Sequence, residues 1–224
     1  MRFYTNVQMV GDNFLVRGYE DGKHFATREK FYPTLFVDSK RKTKYKTLDG
    51  LPVEPIEPGT VRECREFIKK YNDIENFNVY GNERFIYQYI SSKYPEVEVK
   101  FDIEKIKLTT IDIEVASENG FPDVESCAEE VLLITLQDYT TKQIRTWGRG
   151  KFNNKQENVI YKGFNTEYEL LTDFINWWMI EDNTPEVITG WNSKLYDIPY
   201  LCRRIDRMLG EKLKKRMSPW GLVT

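Results

Sequence analysis

The sequence predicts a chain with two regions, a small α+β domain over residues 1–104 and an α/β domain over residues 105–224. Three observations support this fold class. Near the start, short aromatic and β-branched segments alternate with turn residues, which is typical of hairpins. Two capping boxes precede segments with helical apolar periodicity. A later segment alternates apolar with acidic residues, which is the pattern of a half-buried strand.

The first region begins with three predicted strands, because three segments rich in aromatic and β-branched residues are separated by glycine-containing turns. They span Phe3 to Val10, Phe14 to Tyr19 and Phe25 to Phe31. A basic segment around Tyr45 follows. The stretch through Pro52, Pro55 and Pro58 is then predicted to be a loop, because proline lacks the backbone donor that a sheet uses.

A helix, a strand and a short helix complete the first region. Thr60 and Glu63 form a capping box, which predicts that a helix begins there. Its apolar stripe consists of Val61, Cys64, Phe67, Ile68 and Tyr71. Residues 77–80 are predicted as a strand and residues 85–90 as a helix. The region is therefore expected to be a compact α+β unit that ends near Pro95.

The second region is predicted in the order β-β-β-α-β-α. Its strands are expected at residues 107–116, 131–139 and 144–147, with a polar loop over 148–158 and a short buried strand at 187–189. Thr166 and Glu169 form a second capping box, which predicts the first helix. The second helix is predicted from Asp197 to Leu209, with one apolar face.

The composition limits the classes of function. A net charge of −2 over 224 residues gives no overall basic field, so contact with nucleic acid must use local patches. The single histidine, His24, disfavours zinc sites and histidine-based catalysis. Three cysteines without Cys-x-x-Cys spacing are expected to be buried thiols of a reducing compartment. Neither a signal-peptide pattern nor an apolar stretch of membrane-spanning length occurs, which predicts an intracellular protein without a membrane partner.

Three carboxylates are the candidate catalytic and metal-binding residues. Asp112 and Glu114 alternate with isoleucines, and residues two apart on a strand point to the same face, so both carboxylates should lie side by side. Adjacent carboxylates repel each other, and a divalent cation relieves the repulsion. Asp197 lies at the start of a predicted helix. The three together predict a two-metal site that cleaves a phosphodiester.

Each part also has a purely structural interpretation. An acidic pair on a strand is common on a solvated face, and an acidic residue at a helix start favours the positive end of the helix dipole. The combination is more specific, because Asn192 and Tyr196 precede Asp197 in the arrangement Asn-x-x-x-Tyr-Asp.

Two segments resemble known motifs. Thr-Ile-Asp-Ile-Glu-Val at residues 110–115 is similar to the first proofreading-exonuclease motif of family B DNA polymerases, and residues 189–201 are similar to the second. The Gly-Trp-Asn sequence within the latter, the Met-Ser-Pro-Trp-Gly at 217–221 and the opening hundred residues resemble the T4-like phage branch, including its cyanophage relatives. The resemblance implies a partial ribonuclease-H-like (DnaQ-like) exonuclease domain over residues 105–224.

The resemblance also implies a reaction, its cofactors and its partners. The reaction is 3′→5′ hydrolysis of single-stranded DNA with two Mg²⁺ ions per complete site, or Mn²⁺ as a substitute. Asp112 would bridge both ions, Glu114 would complete the nucleophile-side ion and Asp197 would hold the leaving-group ion. The implied partners are a DNA primer-template with its single-stranded 3′ end, the downstream polymerase segment and the phage replisome proteins. The implied location is the cytoplasm of an infected bacterial host.

One part of the family pattern is missing. After the second motif no Tyr-x-x-x-Asp, the third motif of the family, follows, and the polymerase carboxylates are also absent. The sequence therefore resembles the front piece of a replicative polymerase, either a truncated chain or the product of a split gene. Residues 1–224 alone are expected to hydrolyse little or no DNA. Two alternatives stay open: a non-catalytic nucleic-acid-binding module, and a free-standing DnaQ-like exonuclease whose fourth ligand comes from elsewhere.

Four further residues near the carboxylates have two interpretations each. Asn192 either caps the following helix or bonds the strand end, or it contacts DNA. Tyr196 either packs under the site or stacks on a base. Phe121, on the loop of residues 119–122, either wedges against the terminal base or anchors the loop. Trp191 is interpreted as a core residue rather than a stacking platform.

Two basic segments are candidates for phosphate contact. The first contains Lys40, Arg41, Lys42, Lys44 and Lys46 around Tyr45. The second contains seven basic residues between positions 203 and 216. The ordinary interpretation of both is a solvated surface. In the T4-like family the N-terminal domain resembles an RNA-recognition fold associated with mRNA binding, which adds RNA as a candidate partner of the first segment.

Overall fold

The chain divides into two compact units in a computed structural model that describes residues 1–81, 83–95, 98–118 and 120–223. The units are Met1–Asp102 and Ile103–Thr224. The sequence placed the domain boundary after residue 104. Both units mix helices with sheets, so the chain is an α/β protein in the broad sense. No helix in the described ranges is long and apolar enough to cross a membrane.

Two antiparallel sheets form the framework of the first unit. In the first sheet, β1 (Arg2–Val10), β2 (Asn13–Glu20) and β3 (Lys23–Lys30) follow one another as hairpins, as predicted. In the second sheet the strand order is β5-β6-β4-β7. Its strands are β4 (Leu35–Asp38), β5 (Tyr45–Lys46), β6 (Pro52–Ile56) and β7 (Val79–Tyr80).

The predicted loop through Pro52 and Pro55 is wrong, because both prolines lie in β6. Pro52 is the first residue of the strand, and Pro55 lies beyond the end of the two-residue strand β5, which pairs only with residues 52 and 53. Strand starts and sheet edges are the positions where a sheet tolerates proline, because no ladder hydrogen bond is lost there.

The helices of the first unit share one apolar core with its sheets. α1 (Val61–Tyr71) has the predicted capping box, in which the Glu63 carboxylate accepts a hydrogen bond from the Thr60 N–H at 2.7 Å. α2 (Phe85–Lys93) contributes two buried aromatic residues. The core consists of Phe14, Val16, Leu35, Val61, Cys64, Phe85 and Tyr89.

A five-stranded sheet with the order β11-β10-β9-β8-β12 forms the second unit. Its strands are β8 (Leu108–Val115), β9 (Val131–Asp138), β10 (Ile144–Arg149), β11 (Val159–Phe164) and β12 (Val187–Thr189). β8, β9 and β10 pair antiparallel, whereas β12 runs parallel to β8 and β11 runs parallel to β10.

Both edge strands of this sheet differ from the prediction. β11 was not predicted, because it lies half-buried at one edge and Lys162-Gly163 interrupt its apolar run. β12 was predicted as a buried strand, but its three residues are exposed. It forms the other edge and pairs only with β8, so tertiary position overrides its apolar sequence.

Two long helices cover the apolar face of this sheet. α3 (Glu167–Trp178) begins at the predicted capping box of Thr166 and Glu169. α4 (Asp197–Leu209) begins and ends as predicted. α5 (Glu211–Lys214) and a short 3₁₀ turn follow. The core joins β8 to both long helices through Ile111, Ile113, Leu170, Phe174, Leu201 and Ile205. The cysteines of both units are free and buried, as predicted.

Candidate metal centre

Asp112 and Glu114 lie on the solvent-facing side of β8. The burial of β8 alternates as predicted, because Ile111 and Ile113 enter the core under α3 and α4 while both acidic side chains are exposed. Since alternate residues of a strand point to opposite faces, the two carboxylates project side by side from the face that these helices leave uncovered.

Asp197 lies at the open edge of the same strand. β12 pairs only with residues 108–110 of β8, so the next part of β8 is paired with β9 on one side and has no described strand on the other. There the Asp197 carboxylate Oδ1 accepts a hydrogen bond from the Ile113 N–H at 3.0 Å. Asp197 is only 3% exposed. The second motif is therefore attached directly to the strand that carries the first.

The surroundings of Asp197 raise the pKa of its carboxyl. Burial raises the pKa of the Asp197 carboxyl, the negative charge of Asp112 raises it further, and the hydrogen bond from Ile113 opposes both. Carboxylate oxygens are the ligands that Mg²⁺ prefers, so the donor set suits this ion chemically. Within the described ranges, however, no three Asp, Glu, His or Cys side chains are gathered around one possible metal position. The assignment of three metal ligands stays a prediction.

The turn between β12 and α4 is pressed against β8. A Cβ atom on Gly190 would lie 2.4 Å from the carbonyl oxygen of Ile111, so a larger residue would displace the strand next to Asp112. Asn192 has a left-handed backbone with φ 59°, and its carbonyl accepts hydrogen bonds from the N–H groups of Leu195 and Tyr196, each at 2.9 Å. This tight turn sets where α4 begins relative to the carboxylate strand.

Two side chains of this turn differ from their structural interpretations. Asn192 was expected either to cap α4 or bond the strand end, or to contact DNA. Its side chain is exposed and the N-cap residue is Tyr196, which makes no side-chain cap, so the capping role is wrong and the contact with DNA stays a prediction. Asn192 supports the helix start through its main-chain carbonyl instead. The prediction of Trp191 as a core residue is wrong, because it is 94% exposed in the turn, outside the buried face of α4.

Two aromatic rings, those of Tyr196 and Phe121, lie in contact next to this turn. Tyr196 packs against the core of the second unit, and burial raises the pKa of its hydroxyl. The ring of Phe121 lies 5.1 Å from that of Tyr196 between centroids, and Phe121 is 84% exposed. Asn119, the first residue of the loop that carries Phe121, lies outside the described residues. Tyr196 is therefore packed, as the first of its two interpretations has it, and both interpretations of the exposed Phe121 stay open.

The two basic segments differ in their surroundings. The side chains of Lys40, Arg41, Lys42, Lys44 and Lys46 are all exposed. In the second segment, by contrast, several cations pair within the unit, such as Arg203 with Glu125 at 2.9 Å and Lys214 with Asp206 at 2.6 Å. Arg204 is buried, so the interpretation of this segment as a solvated face does not hold for it.

Sequence reasoning missed the partner of that buried arginine. Arg204 forms an ion pair with Glu167, the first residue of α3, at 2.7 Å. Glu167 lies between Thr166 and Glu169, the two residues that form the capping box, and takes no part in the box itself. The available signal was the position of Arg204 between Leu201 and Ile205, on the buried face of α4.

The sheet, the acidic strand and the helix that brings Asp197 to it agree with a comparison to protein families. Residues 58–223 match the family described as DNA polymerase family B, exonuclease domain. The chain belongs to this family. The match begins inside the first unit, well before the acidic strand.

Individual relatives include phage and viral polymerases. The chain is 30% identical to the DNA-directed DNA polymerase of Escherichia phage RB69, over 97% of this chain and 27% of the relative. It is also 30% identical to that of Enterobacteria phage T4, over 99% of this chain and 27% of the relative. The DNA polymerase catalytic subunit of human herpesvirus 6A is 36% identical, over 44% and 10% respectively. The predicted resemblance to T4-like phage polymerases is confirmed, and the chain spans about a quarter of the length of these phage relatives.

Proposed function

We propose that this chain forms part of the 3′→5′ proofreading exonuclease of a replicative family B DNA polymerase. The hydrogen bond from Ile113 to Asp197 carries the proposal, because it attaches the carboxylate of the second motif to the strand of the first. The proposed substrate is the single-stranded 3′ end of a DNA primer-template. The second unit is then a partial ribonuclease-H-like (DnaQ-like) domain.

In the proposed site, Asp112, Glu114 and Asp197 would hold two Mg²⁺ ions, for which Mn²⁺ could substitute. Two bound ions would supply charge stabilisation to the attacking and leaving oxygens of a phosphodiester. The protein itself holds the carboxylates in place, through the pleat of β8 and the Ile113 N–H. Phe121, supported from below by Tyr196, offers the terminal base an aromatic face.

The wider setting belongs to the same proposal. The relatives are DNA-directed DNA polymerases of bacteriophages, which supports a polymerase segment and phage replisome proteins as partners, in the cytoplasm of an infected bacterium. Two other functions compete with it, a non-catalytic nucleic-acid-binding module and a free-standing DnaQ-like exonuclease. They differ from the proposal in metal binding and in the activity of residues 1–224 alone.

A manganese titration tests the proposed metal site. Asp112→Asn keeps the size of the side chain and removes the charge, so the affinity for Mn²⁺ should fall by at least about tenfold, since even indirect partners of metal ligands contribute that much. The electron paramagnetic resonance signal of free Mn²⁺ measures the affinity. Asp138→Asn is the matched control, because Asp138 ends the neighbouring strand β9 and should leave the affinity unchanged. Equal affinities of the wild type and Asp112→Asn would contradict the site.

A second candidate function, RNA binding by the first unit, is favoured by one face of its second sheet. Phe36 pairs with Tyr80 across β4 and β7, and the ring of Tyr45 lies 5.2 Å from that of Phe36. The Lys44 ammonium lies 4.9 Å from the centre of the Tyr45 ring. We propose that bases of single-stranded RNA stack on these rings while the exposed cations of residues 40–46 meet the phosphates.

Replacement of Tyr45 by alanine tests this second function. Because base–aromatic stacking contributes about 1–3 kcal/mol, Tyr45→Ala should weaken the binding of a fluorescent single-stranded RNA about 5- to 150-fold. Tyr32→Ala removes another exposed tyrosine of the same unit and should change nothing. Fluorescence anisotropy measures both, with DNA of the same sequence in parallel to establish the preference. Unchanged affinity in Tyr45→Ala would exclude this face as the RNA site.

A further inference from the structure

We propose that the buried ion pair between Glu167 and Arg204 is a positioning element of the carboxylate site. The pair links the helix that carries Asp197 to the end of β9 that lies beside Glu114. This inference rests on the proposed function, because it assigns the pair a purpose only where those carboxylates act together.

Arg204 makes four hydrogen bonds with its guanidinium. Nε and Nη2 donate to the two carboxylate oxygens of Glu167 at 2.8 and 2.7 Å, and Nη1 donates to the carbonyls of Cys127 and Ala128 at 2.8 and 3.0 Å. The side chains of Arg204 and Glu167 are only 6% and 2% exposed. The carboxylate of Glu167 raises the pKa of Arg204. A bidentate contact of this kind fixes the orientation of the two side chains as well as the distance between them.

Glu167 extends the network to the strand next to the carboxylates. Its Oε1 also accepts a hydrogen bond from the N–H of Val131, the first residue of β9, at 2.8 Å. The register of β9 against β8 shifts between residues 114 and 115, so Leu132 has no partner and a β-bulge lies beside Glu114. Bulges redirect side chains and recur near active sites. Glu167 therefore holds the bulged end of β9 in place.

Arg204 extends the network to α4. It lies seven residues after Asp197, which is about two helical turns, so both residues lie on the same side of α4. Asp197 bonds the Ile113 N–H of β8, and Arg204 bonds the segment just before β9. α4 is thus attached to β8 at its start, and to the segment that leads into β9 in its middle. A rotation of α4 would break both attachments and move Asp197.

Stability alone does not account for this arrangement. A buried ion pair is often replaced by apolar residues of similar size without loss of stability. An apolar pair, however, cannot bond the Val131 N–H or the carbonyls of Cys127 and Ala128. Those directed bonds set the rotation of a helix and the end of a strand. We therefore assign the pair to the geometry of the site.

Two variants of the pair and two controls test the inference. Glu167→Gln keeps the size and an oxygen for Val131 but leaves Arg204 without its carboxylate. Arg204→Lys keeps the positive charge but cannot make the bidentate contact with Glu167. The first control is Ile175→Val or Ile175→Ala in the core of α3, whichever matches the unfolding free energy of Glu167→Gln. The second is Arg203→Ala, which removes an exposed ion pair from the neighbouring position on α4.

The readouts are the affinity for Mn²⁺ and the protection of the Ile113 amide against hydrogen exchange, followed by nuclear magnetic resonance. Glu167→Gln should weaken Mn²⁺ binding about tenfold, as indirect partners of metal ligands do. It should also lower the protection of the Ile113 amide more than the matched variant of Ile175. Arg204→Lys should lie between the wild type and Glu167→Gln, and Arg203→Ala should equal the wild type.

The outcomes separate the inference from the proposed function. Equal changes in Glu167→Gln and the matched variant of Ile175 would show a structural role only and overturn the inference. Where Glu167→Gln does not fold, Arg204→Lys decides by the same comparison. Absence of Asp112-dependent Mn²⁺ binding in the wild type would overturn the proposed function. The Ile113 amide would then still show whether the pair positions Asp197.

Discussion

Residues 1–224 alone should release 3′-terminal nucleotides from single-stranded DNA about 10²–10³-fold more slowly than when they are joined to the part of phage T4 DNA-directed DNA polymerase that follows the matched region. A two-metal site takes its rate from electrostatic stabilisation that is positioned in advance, and losing one such group costs about this factor. The described residues gather no three acidic side chains around one metal position. The third motif of the family is Tyr-x-x-x-Asp. Its spacing occurs once in the sequence, from Tyr45 to Asp49, which lies in the first unit ahead of the other two motifs and so cannot take the place of the third.

Release of a labelled 3′-terminal nucleotide in the presence of magnesium measures this difference. Asp112→Asn in the joined protein is the control, because it should abolish any activity that the added segment restores. Robust cleavage by residues 1–224 alone that depends on Asp112 would contradict the prediction and favour a free-standing exonuclease. Absence of cleavage by the joined protein would favour a non-catalytic module. Effects within one catalytic unit do not add, so further losses would not multiply this factor.

Local signals explain what the sequence predicted correctly. The alternation around Asp112 and Glu114 predicted β8 and its exposed acidic face, because the pleat of a strand depends only on neighbouring residues. The capping boxes at Thr60 and Thr166 predicted the starts of α1 and α3 for the same reason. Each of these signals lies within a few residues of the element that it predicts.

The errors arose where a distant segment decides the outcome. Pro55 is tolerated in β6 because β5 does not extend to it, and β12 is exposed because its place at the edge of the sheet leaves it only β8 as a neighbour. The bond between Ile113 and Asp197 exists because β12 stops short and leaves an edge of β8 open. None of these depends on neighbours in sequence, so periodicity and spacing carried no information about them.

Phe121→Ala should weaken the binding of single-stranded DNA to this chain about 5- to 150-fold, because stacking of a base on an aromatic ring contributes about 1–3 kcal/mol. Phe121 is suited to this role because most of its surface faces solvent while its ring rests against Tyr196, which the core supports. A ring held in this way loses little conformational freedom when a base binds to it. Anisotropy of a labelled oligonucleotide, measured in EDTA to prevent cleavage, gives the affinity.

Phe152→Ala is the matched control for this prediction, because Phe152 is also exposed, at 64%, and its ring also lies against a tyrosine, 5.4 Å from Tyr161. It lies on a different loop and should leave the affinity unchanged. Phe121→Leu separates stacking from bulk, since leucine keeps an apolar side chain but has no aromatic face. If Phe121 stacks on DNA, both of its variants weaken binding while the free energy of unfolding stays near that of the wild type. If both variants instead lower the free energy of unfolding and leave the affinity for DNA unchanged, Phe121 anchors its loop and does not contact the substrate.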